Sequence, residues 1–339
     1  TALLELVNQM DGRRDFSKVP NLIYRQNGKI TVNQPFYSEN INQLTAPNYD
    51  GFPLDLYLSP EPVLPVQFSR GCYYKDCAFC ALTLDHQNFR QRDPGKTVDD
   101  LVWLKERYGA QSFFFTDECF ALSPTKRLCQ QMIDRQVNVK WTCELRFEKN
   151  LTRELLGQMR DAGCLKIVFG LESFNQRVMD FMKKGIKQES VRRIVDDCVD
   201  LGIAVHCYVI VGFPTEKEEE ALDTMNFVVG NKKLHESYGF SCQPCLFDLE
   251  KEAPIMSDPG SYGIRRIMRP ATEDLSLGFF YEVQEGMTPA QAEQLYQQVY
   301  EKISEVVCEL PFNYSMADGL LYIARAKSQA LQVPQPTGS

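Results

Sequence analysis

From about Leu64 onward the sequence alternates short apolar or β-branched runs with amphipathic stretches, and this alternation restricts the fold more than any other feature. The order is typical of consecutive βα units, in which a helix joins each strand to the next parallel strand. The candidate strands are 63–69, 111–116, 138–145, 165–171, 203–212 and 238–247. Six such units predict an α/β fold, a partial (β/α)6 barrel of the TIM type.

The helices between these strands are indicated by apolar residues at a helical spacing and by capping residues. In the stretch 97–109, Thr97 is a candidate N-cap. The helix predicted over 151–163 is expected to stop at Gly163. Further helices are predicted over 175–183, 187–201, 216–232 and 289–310.

The two ends of the chain differ in composition from the predicted barrel. Residues 1–62 begin with apolar residues at helical spacing and are then interrupted by Asn, Pro, Tyr and Asp. We predict an irregular lead-in or linker that follows a further N-terminal domain missing from the chain. Residues 63–250 are assigned to the barrel core, and residues 251–339 to a C-terminal extension with one helix and a frayed tail.

Charge and hydropathy exclude several classes of protein. A net charge of −8 indicates neither a nucleic acid nor an anionic membrane as partner. No apolar run approaches the roughly 18 residues of a membrane span, and the N-terminus lacks a secretory signal. Twelve cysteines without a disulfide framework favour a reducing compartment, where thiols are ligands or core residues. We therefore expect a cytoplasmic protein.

Three cysteines stand close together directly after the first predicted strand. The run 70-RGCYYKDCAFCAL-82 contains Cys72, Cys77 and Cys80 within nine residues. In parallel α/β folds, sites form where the loops at the carboxyl ends of the strands converge. Three thiolates can bind three irons of a [4Fe-4S] cubane and leave the fourth iron open, whereas an electron-carrying cluster normally uses four cysteines.

Two alternative roles for these cysteines stay open. His86 is near enough in sequence to complete a zinc site, although paired two-ligand knuckles are the more usual pattern. The thiols are alternatively unrelated core residues, which a polar loop with Lys75 and Asp76 does not favour.

The spacing Cys-x4-Cys-x2-Cys after a first strand, with Phe79 before the last cysteine, resembles the cluster loop of the radical S-adenosylmethionine (SAM) superfamily. The commonest spacing in that superfamily is one residue shorter between the first two cysteines. The resemblance covers about residues 60–250, and its order of motifs is similar to radical SAM enzymes with an N-terminal cobalamin-binding domain. It implies a [4Fe-4S] cluster on the three cysteines, SAM beside Phe79, and cobalamin in a domain absent from this chain.

The resemblance also implies SAM contacts near the ends of the second and third strands. Asp117 and Glu118 stand where acidic groups accept hydrogen bonds from the SAM ammonium. Asp117 is alternatively the cap of the next helix. On the third strand, Glu144 and Arg146 resemble an acidic residue and arginine grouping, and a guanidinium suits the SAM carboxylate. A buried Glu144–Arg146 ion pair is the competing interpretation.

The fourth and fifth strands supply the remaining implied contacts. Glu172 and Ser173 are expected to contact ribose hydroxyls or the methionyl amine. Val211 and Gly212 resemble the adenine motif of the superfamily, in which glycine permits close approach of the backbone. The alternative is an ordinary strand-to-helix turn with Thr215 as N-cap.

Several further conspicuous residues are expected to be structural. We assign Cys242 and Cys245, which form a CxxC, to strand packing rather than to a second cluster. His206 is expected in the barrel interior. The remaining cysteines predicted to be core residues are Cys119, Cys129, Cys143, Cys164, Cys198, Cys207 and Cys308.

The implied activity is reductive cleavage of SAM to a 5′-deoxyadenosyl radical that abstracts hydrogen from an unactivated carbon. The nearest subfamily implies cobalamin-dependent C-methylation of a natural product or peptide. Epimerisation, cross-linking and rearrangement are alternative outcomes, and a non-catalytic iron–sulfur or zinc protein is the alternative from another class. The expected partners are a small-molecule or peptide substrate and an electron donor such as flavodoxin or ferredoxin.

Overall fold

The structure, a computed structural model, describes residues 2–12, 14–35, 40–57, 61–81, 89–231, 240–269 and 278–306. Its strands are β1 (Ile23–Gln26), β2 (Lys29–Val32), β3 (Val63–Val66), β4 (Ser69–Arg70), β5 (Arg90–Gln91), β6 (Ser112–Phe115), β7 (Lys140–Leu145), β8 (Cys164–Glu172), β9 (Ala204–Val211), β10 (Phe240–Leu246), β11 (Leu249–Glu250), β12 (Ile264–Met268) and β13 (Gly278–Val283). Its α-helices are α1 (Ala2–Asp11), α2 (Pro94–Tyr108), α3 (Leu122–Asp134), α4 (Arg153–Asp161), α5 (Gln176–Phe181), α6 (Gln188–Asp200), α7 (Glu218–Gly230) and α8 (Pro289–Val306).

Six strands form one parallel sheet in the order β10-β9-β8-β7-β6-β3. Every neighbouring pair is parallel, and at least one helix lies in each connection between successive strands of the sheet. The six predicted strands and the α/β class are therefore confirmed. Because β3 and β10 are the two edges of the sheet, the barrel is partial.

The two faces of this sheet have different chemistry. Ile167 on β8 lies in register with Cys143 on one side and Val205 on the other, and all three are fully buried in the main apolar core. Glu144 and His206 flank Val168, one position further along β8, so they point to the opposite face. The apolar face packs against the helices, and the more polar face lines the barrel interior.

Two helices, α2 and α3, differ from the sequence prediction. α2 begins at Pro94, because Asp93 is its N-cap and accepts a hydrogen bond from the backbone of Lys96. Thr97 is buried in the first turn, so its prediction as N-cap was wrong: Asp followed by Pro is the stronger start signal. α3 was not predicted, since Pro124 in its first turn resembles a loop residue.

The described residues before residue 58 contain a helix and a hairpin, which are more regular than the predicted lead-in. α1 confirms the helical spacing at the start of the chain. β1 and β2 form an antiparallel hairpin, and Asn27 and Gly28 at its turn have φ of 51° and 78°. Positive φ at both positions is what a two-residue type I′ turn requires. The Asn-Gly pair was thus an available signal for this hairpin.

A small sheet begins at the last two residues assigned to the core and continues into the C-terminal extension, beside the predicted helix. β11, β13 and β12 pair antiparallel in that order, and no strand was predicted there. α8 packs against β9, β10 and α7. Cys308 and the tail lie outside the described residues. Within the ranges given above, no helix has the length and apolar character needed to cross a membrane.

Candidate functional site

The cysteine loop follows the carboxyl end of β3, at the edge of the sheet where the parallel strands end. Cys77 is only 8% exposed, and Cys72 and Cys80 are half-buried. The backbone N–H of Ala78 donates to the carbonyl of Met182, 2.9 Å away, which ties the loop to the residues after α5. The three predicted iron ligands therefore lie on one anchored loop.

The loop offers three thiols, the donor type that iron–sulfur clusters use. Among the residues that the structure describes, no three His, Cys, Asp or Glu side chains converge as ligands of one metal ion. A cubane instead takes each thiolate on a separate iron, so its ligands need not converge on one point. His86, the ligand that the zinc alternative requires, lies outside the described residues. The assignment of the three ligands stays a prediction.

Cys119, which follows β6, brings a fourth thiol to the loop. Its thiol is hydrogen-bonded to Cys72, and this contact lowers the pKa of Cys72 to about 6 against the opposing effect of burial. The same contact and burial raise the pKa of Cys119. Cys119 is buried, as predicted for a core cysteine, but the sequence did not reveal its neighbour. Its position two residues after Asp117, at a strand end, was the available signal.

Asp117 and Glu118 brace the start of the cysteine loop. Asp117 is 2% exposed and accepts hydrogen bonds from the backbone N–H groups of Phe68 and Ser69. Glu118 accepts one from the N–H of Gly71 at 2.9 Å. Burial raises the pKa of Asp117 to about 7. Asp117 does not cap α3, whose N-cap is Ala121, and its contact with SAM stays a prediction.

Arg146 lies directly against the loop. Its Nη1 is 3.7 Å from the Sγ of Cys77, and its guanidinium carbon is 3.4 Å from the centre of the Tyr74 ring. Its Nε is 3.5 Å from the carboxylate of Glu148. Among the described residues the ion pair of Arg146 is thus with Glu148 and not with Glu144, so the competing interpretation of a Glu144–Arg146 pair was wrong.

A buried ion pair stands beside Arg146. The Nζ of Lys184 is 2.9 Å from the Oε1 of Glu172, and both side chains are at most 10% exposed. A Cβ on Gly170 would lie 2.5 Å from that Oε1 and 2.8 Å from the Nζ, so glycine makes room for the pair. Lys184 also lies 5.5 Å from the centre of the Phe79 ring.

The structure thus brings Phe79, Arg146 and Glu172 together around the loop, with Lys184 as a member that the sequence analysis missed. Burial raises the pKa of the Cys77 thiol, and the charges of Lys184 and Arg146 oppose that rise. No local pattern marks Lys184, because the chain after α5 also carries the exposed Lys183 and Lys187.

Glu144 points into the barrel interior. Burial is the main cause that raises its pKa to about 7, and the charge of Lys166 acts against it. His206 is fully buried nearby on β9, with its Nδ1 2.6 Å from the Oγ of Ser241. The interior position predicted for His206 is confirmed.

Ser173 is directed away from solvent. It is fully buried, its hydroxyl lies 3.3 Å from the hydroxyl oxygen of Thr224, and it accepts the N–H of Asn175 at 3.1 Å. These bonds fasten the end of β8 to α7. They use the hydroxyl that was expected to contact SAM, and that contact stays a prediction.

Gly212 allows a close approach of the backbone, but to a helix of this chain. It has φ of 86°, and a Cβ at this position would overlap the Cβ of Ala292 on α8. Thr215 has φ of 71° and is not the cap of α7, whose N-cap is Lys217, so that alternative was wrong. The adenine contact of Gly212 stays a prediction.

Val211 and Gly212 border a cavity of about 750 Å³ between β10, β13 and α8. The aromatic side chains of Phe247, Phe279 and Tyr281 also line it. Its volume is within the range of about 300–1,000 Å³ that small-molecule sites occupy. The cavity has room for a ligand beside the predicted adenine motif.

The CxxC on β10 divides into one buried and one exposed thiol. Cys242 is fully buried and lies in register with Cys207, as strand packing predicts. Cys245 is exposed, and its thiol lies 3.3 Å from the carbonyl oxygen of Val209. The two side chains point to opposite faces of the sheet, which does not favour a shared metal.

The central part of the chain is similar to a known protein family. Residues 66–228 match the family model of the Radical SAM superfamily. An uncharacterized methyltransferase of Pyrococcus horikoshii is 28% identical over 239 residues, a match that covers 69% of this chain and 51% of that protein. The chain therefore spans about half the length of this relative.

Solved structures share the fold. The cobalamin-dependent S-adenosylmethionine radical enzyme OxsB, solved with aqua-cobalamin and SAM bound, superposes with a TM-score of 0.66 at 15% identity, over 87% of this chain and 48% of that one. The radical SAM methyltransferase TsrM from Kitasatospora setae, with cobalamin and a [4Fe-4S] cluster bound, gives 0.61 at 17% identity, over 97% and 75%. At such identities the likeness concerns the fold alone.

Proposed function

Because residues 66–228 belong to the radical SAM superfamily, we propose that the chain binds a [4Fe-4S] cluster through Cys72, Cys77 and Cys80 and cleaves SAM reductively. The observation that carries this proposal is the single anchored loop with three thiols at the carboxyl edge of the parallel sheet. When bound, cluster and SAM supply a 5′-deoxyadenosyl radical for hydrogen abstraction.

The chain's own residues have distinct tasks in this proposal. Asp117 and Glu118 hold the backbone at the start of the loop. Arg146 donates to the sulfur of Cys77, and burial keeps that sulfur from water. Glu172, which is paired with Lys184, and Phe79, whose ring centre lies 5.5 Å from the Nζ of Lys184, are proposed SAM contacts.

We further propose that the radical serves cobalamin-dependent C-methylation of a natural product or peptide. The support is the methyltransferase name of the Pyrococcus relative and the fold shared with OxsB and TsrM. In this proposal the cobalamin is held outside the residues described here.

The proposal is tested by anaerobic reconstitution of the chain with iron and sulfide, followed by addition of dithionite, SAM and hydroxocobalamin. We expect 5′-deoxyadenosine and, if methyl transfer takes place, S-adenosylhomocysteine, both measured by chromatography. Cys77→Ala should abolish 5′-deoxyadenosine formation, because it removes an iron ligand of the cluster that supplies the electron for SAM cleavage. A wild-type protein with a loaded cluster that neither binds nor cleaves SAM would contradict the proposal and favour a non-catalytic iron–sulfur protein.

A further inference from the structure

Two buried positive charges adjoin the most buried cysteine of the loop. The side chains of Arg146 and Lys184 are each 7% exposed. Arg146 reaches the sulfur of Cys77 at 3.7 Å, and its other amino group donates to the backbone carbonyl of Lys184. The segment that carries Lys184 is thereby fixed to the loop through the guanidinium.

This segment makes further direct contacts with the loop. The hydroxyl of Tyr74 donates to the carbonyl of Lys183 at 2.8 Å, and the N–H of Ala78 donates to the carbonyl of Met182. The Nζ of Lys184 lies 5.5 Å from the ring centre of Phe79, next to Cys80 in sequence. The segment that carries Lys184 is therefore bonded to the loop both before Cys77, through Tyr74, and after it, through Ala78.

Glu172 is the negative partner of this arrangement. Its carboxylate is paired with Lys184 at 2.9 Å and is buried with it. In a buried environment, charges interact more strongly than in water, because the effective dielectric constant is lower. The loop thus lies in a field that Lys184 and Glu172 shape with opposite signs.

We propose that Lys184 raises the reduction potential of the cluster and that Glu172 lowers it, so that this pair sets how easily the cluster is reduced. The inference rests on the proposed cluster site. Reduction adds one negative charge to the cluster, which a nearby cation stabilises and a nearby carboxylate destabilises. The potentials of iron–sulfur clusters depend on such charges, on hydrogen bonds to sulfur and on exposure to solvent.

The test is an anaerobic redox titration of the reconstituted full chain, without SAM, followed by the electron paramagnetic resonance signal of the reduced cluster. Lys184→Met should lower the midpoint potential. The expected change in the ratio of reduced to oxidised cluster is about tenfold, which is about 59 mV for one electron.

Glu172→Gln removes a negative charge and should raise the midpoint potential. The variant with both substitutions should have a midpoint potential between those of the two single variants. A general loosening of the site would move both single variants in the same direction. Two shifts of one sign, or no shift in either variant with the cluster loaded, would overturn the inference and leave the cluster proposal intact.

Lys187→Met is the matched control. Lys187 is three residues away and loses the same charge, but its side chain is 59% exposed and is paired with Asp180 at 3.0 Å. Its substitution should leave the potential unchanged, because solvent screens exposed charges. If Lys187→Met shifted the midpoint potential as much as Lys184→Met, the cause would be the net charge of the protein and not the position of Lys184. That result would overturn the inference. A wild-type chain that holds no iron–sulfur cluster would refute the proposed function and the inference with it.

Discussion

His206 is an imidazole held without charge in the barrel interior. It is fully buried, its Nδ1 is bonded to Ser241, and burial together with the charge of Lys166 lowers its pKa to about 3. A histidine in an unfolded chain has a pKa of about 6.5. Below that pH the unfolded chain therefore binds a proton that the folded chain does not.

We expect His206 to stabilise the fold above about pH 6.5 and to lose this contribution as the pH falls toward about 3. The loss should be about 1.4 kcal/mol for each pH unit within this window. In His206→Gln the free energy of unfolding should depend less on pH over the same window. Urea denaturation of both proteins at a series of pH values measures the difference.

The comparison with the variant is needed because buried carboxyl groups act in the opposite direction. Burial raises the pKa of Glu144 to about 7, so its contribution to stability is lost as the pH rises through that value. This contribution is common to wild type and variant and cancels in the difference. Parallel pH profiles of the two proteins would refute the assignment to His206.

α8 covers one side of the sheet. It packs against β9, β10 and α7, and its Ala292 meets the backbone of Gly212 at the end of β9. A glycine is required there for two reasons: its φ of 86° disfavours other residues, and a Cβ would overlap Ala292. The same position borders the cavity beside the proposed adenine site.

Gly212→Ala should destabilise the fold by about 2–4 kcal/mol, since it combines strained backbone with overpacking. Thermal or urea denaturation measures this loss.

Gly202→Ala is the control, because Gly202 has φ of 68° but no atom within 4 Å of the position that a Cβ would take. It should cost only about 1 kcal/mol. Equal losses in the two variants would mean that the contact with α8 contributes nothing. Adding Ala292→Gly to Gly212→Ala should recover part of the loss.

The cysteine loop connects elements that are distant along the chain. It is braced by Asp117 after β6, contacted by Arg146 after β7, and bonded to Met182 after α5. A ligand that binds the loop only in the folded state stabilises the entire fold by linkage. Loading of the cluster should therefore affect global stability.

We expect the reconstituted protein to have a higher Tm than the iron-free protein under anaerobic conditions. Chelation of the iron should reverse the increase. Cys77→Ala should show the lower Tm whether or not iron and sulfide are supplied. Equal Tm values for the loaded and iron-free wild type would indicate that the cluster is not coupled to the fold.

Those features that depend on local patterns could be derived from the sequence alone. The six parallel strands, the cysteine loop after the first of them and the interior position of His206 follow from periodicity, strand order and residue spacing. The Asn27-Gly28 turn was equally local and was overlooked. Asp93 outweighed Thr97 as a helix start because the following Pro94 favours the first helical turn.

Which distant residues surround the loop could not be derived from the sequence, because it depends on packing in three dimensions. Lys184 is paired with Glu172, and its charge acts on Cys77, which precedes it by more than a hundred residues. The thiol of Cys119 is hydrogen-bonded to that of Cys72. Gly212 is required because Ala292, eighty residues later, occupies the place that a Cβ would take. Such contacts depend on how helices and loops pack over the ends of the strands. No periodicity within one segment indicates that packing. The strands and the thiols could therefore be derived from the sequence, whereas the charged groups around the thiols became known from the fold.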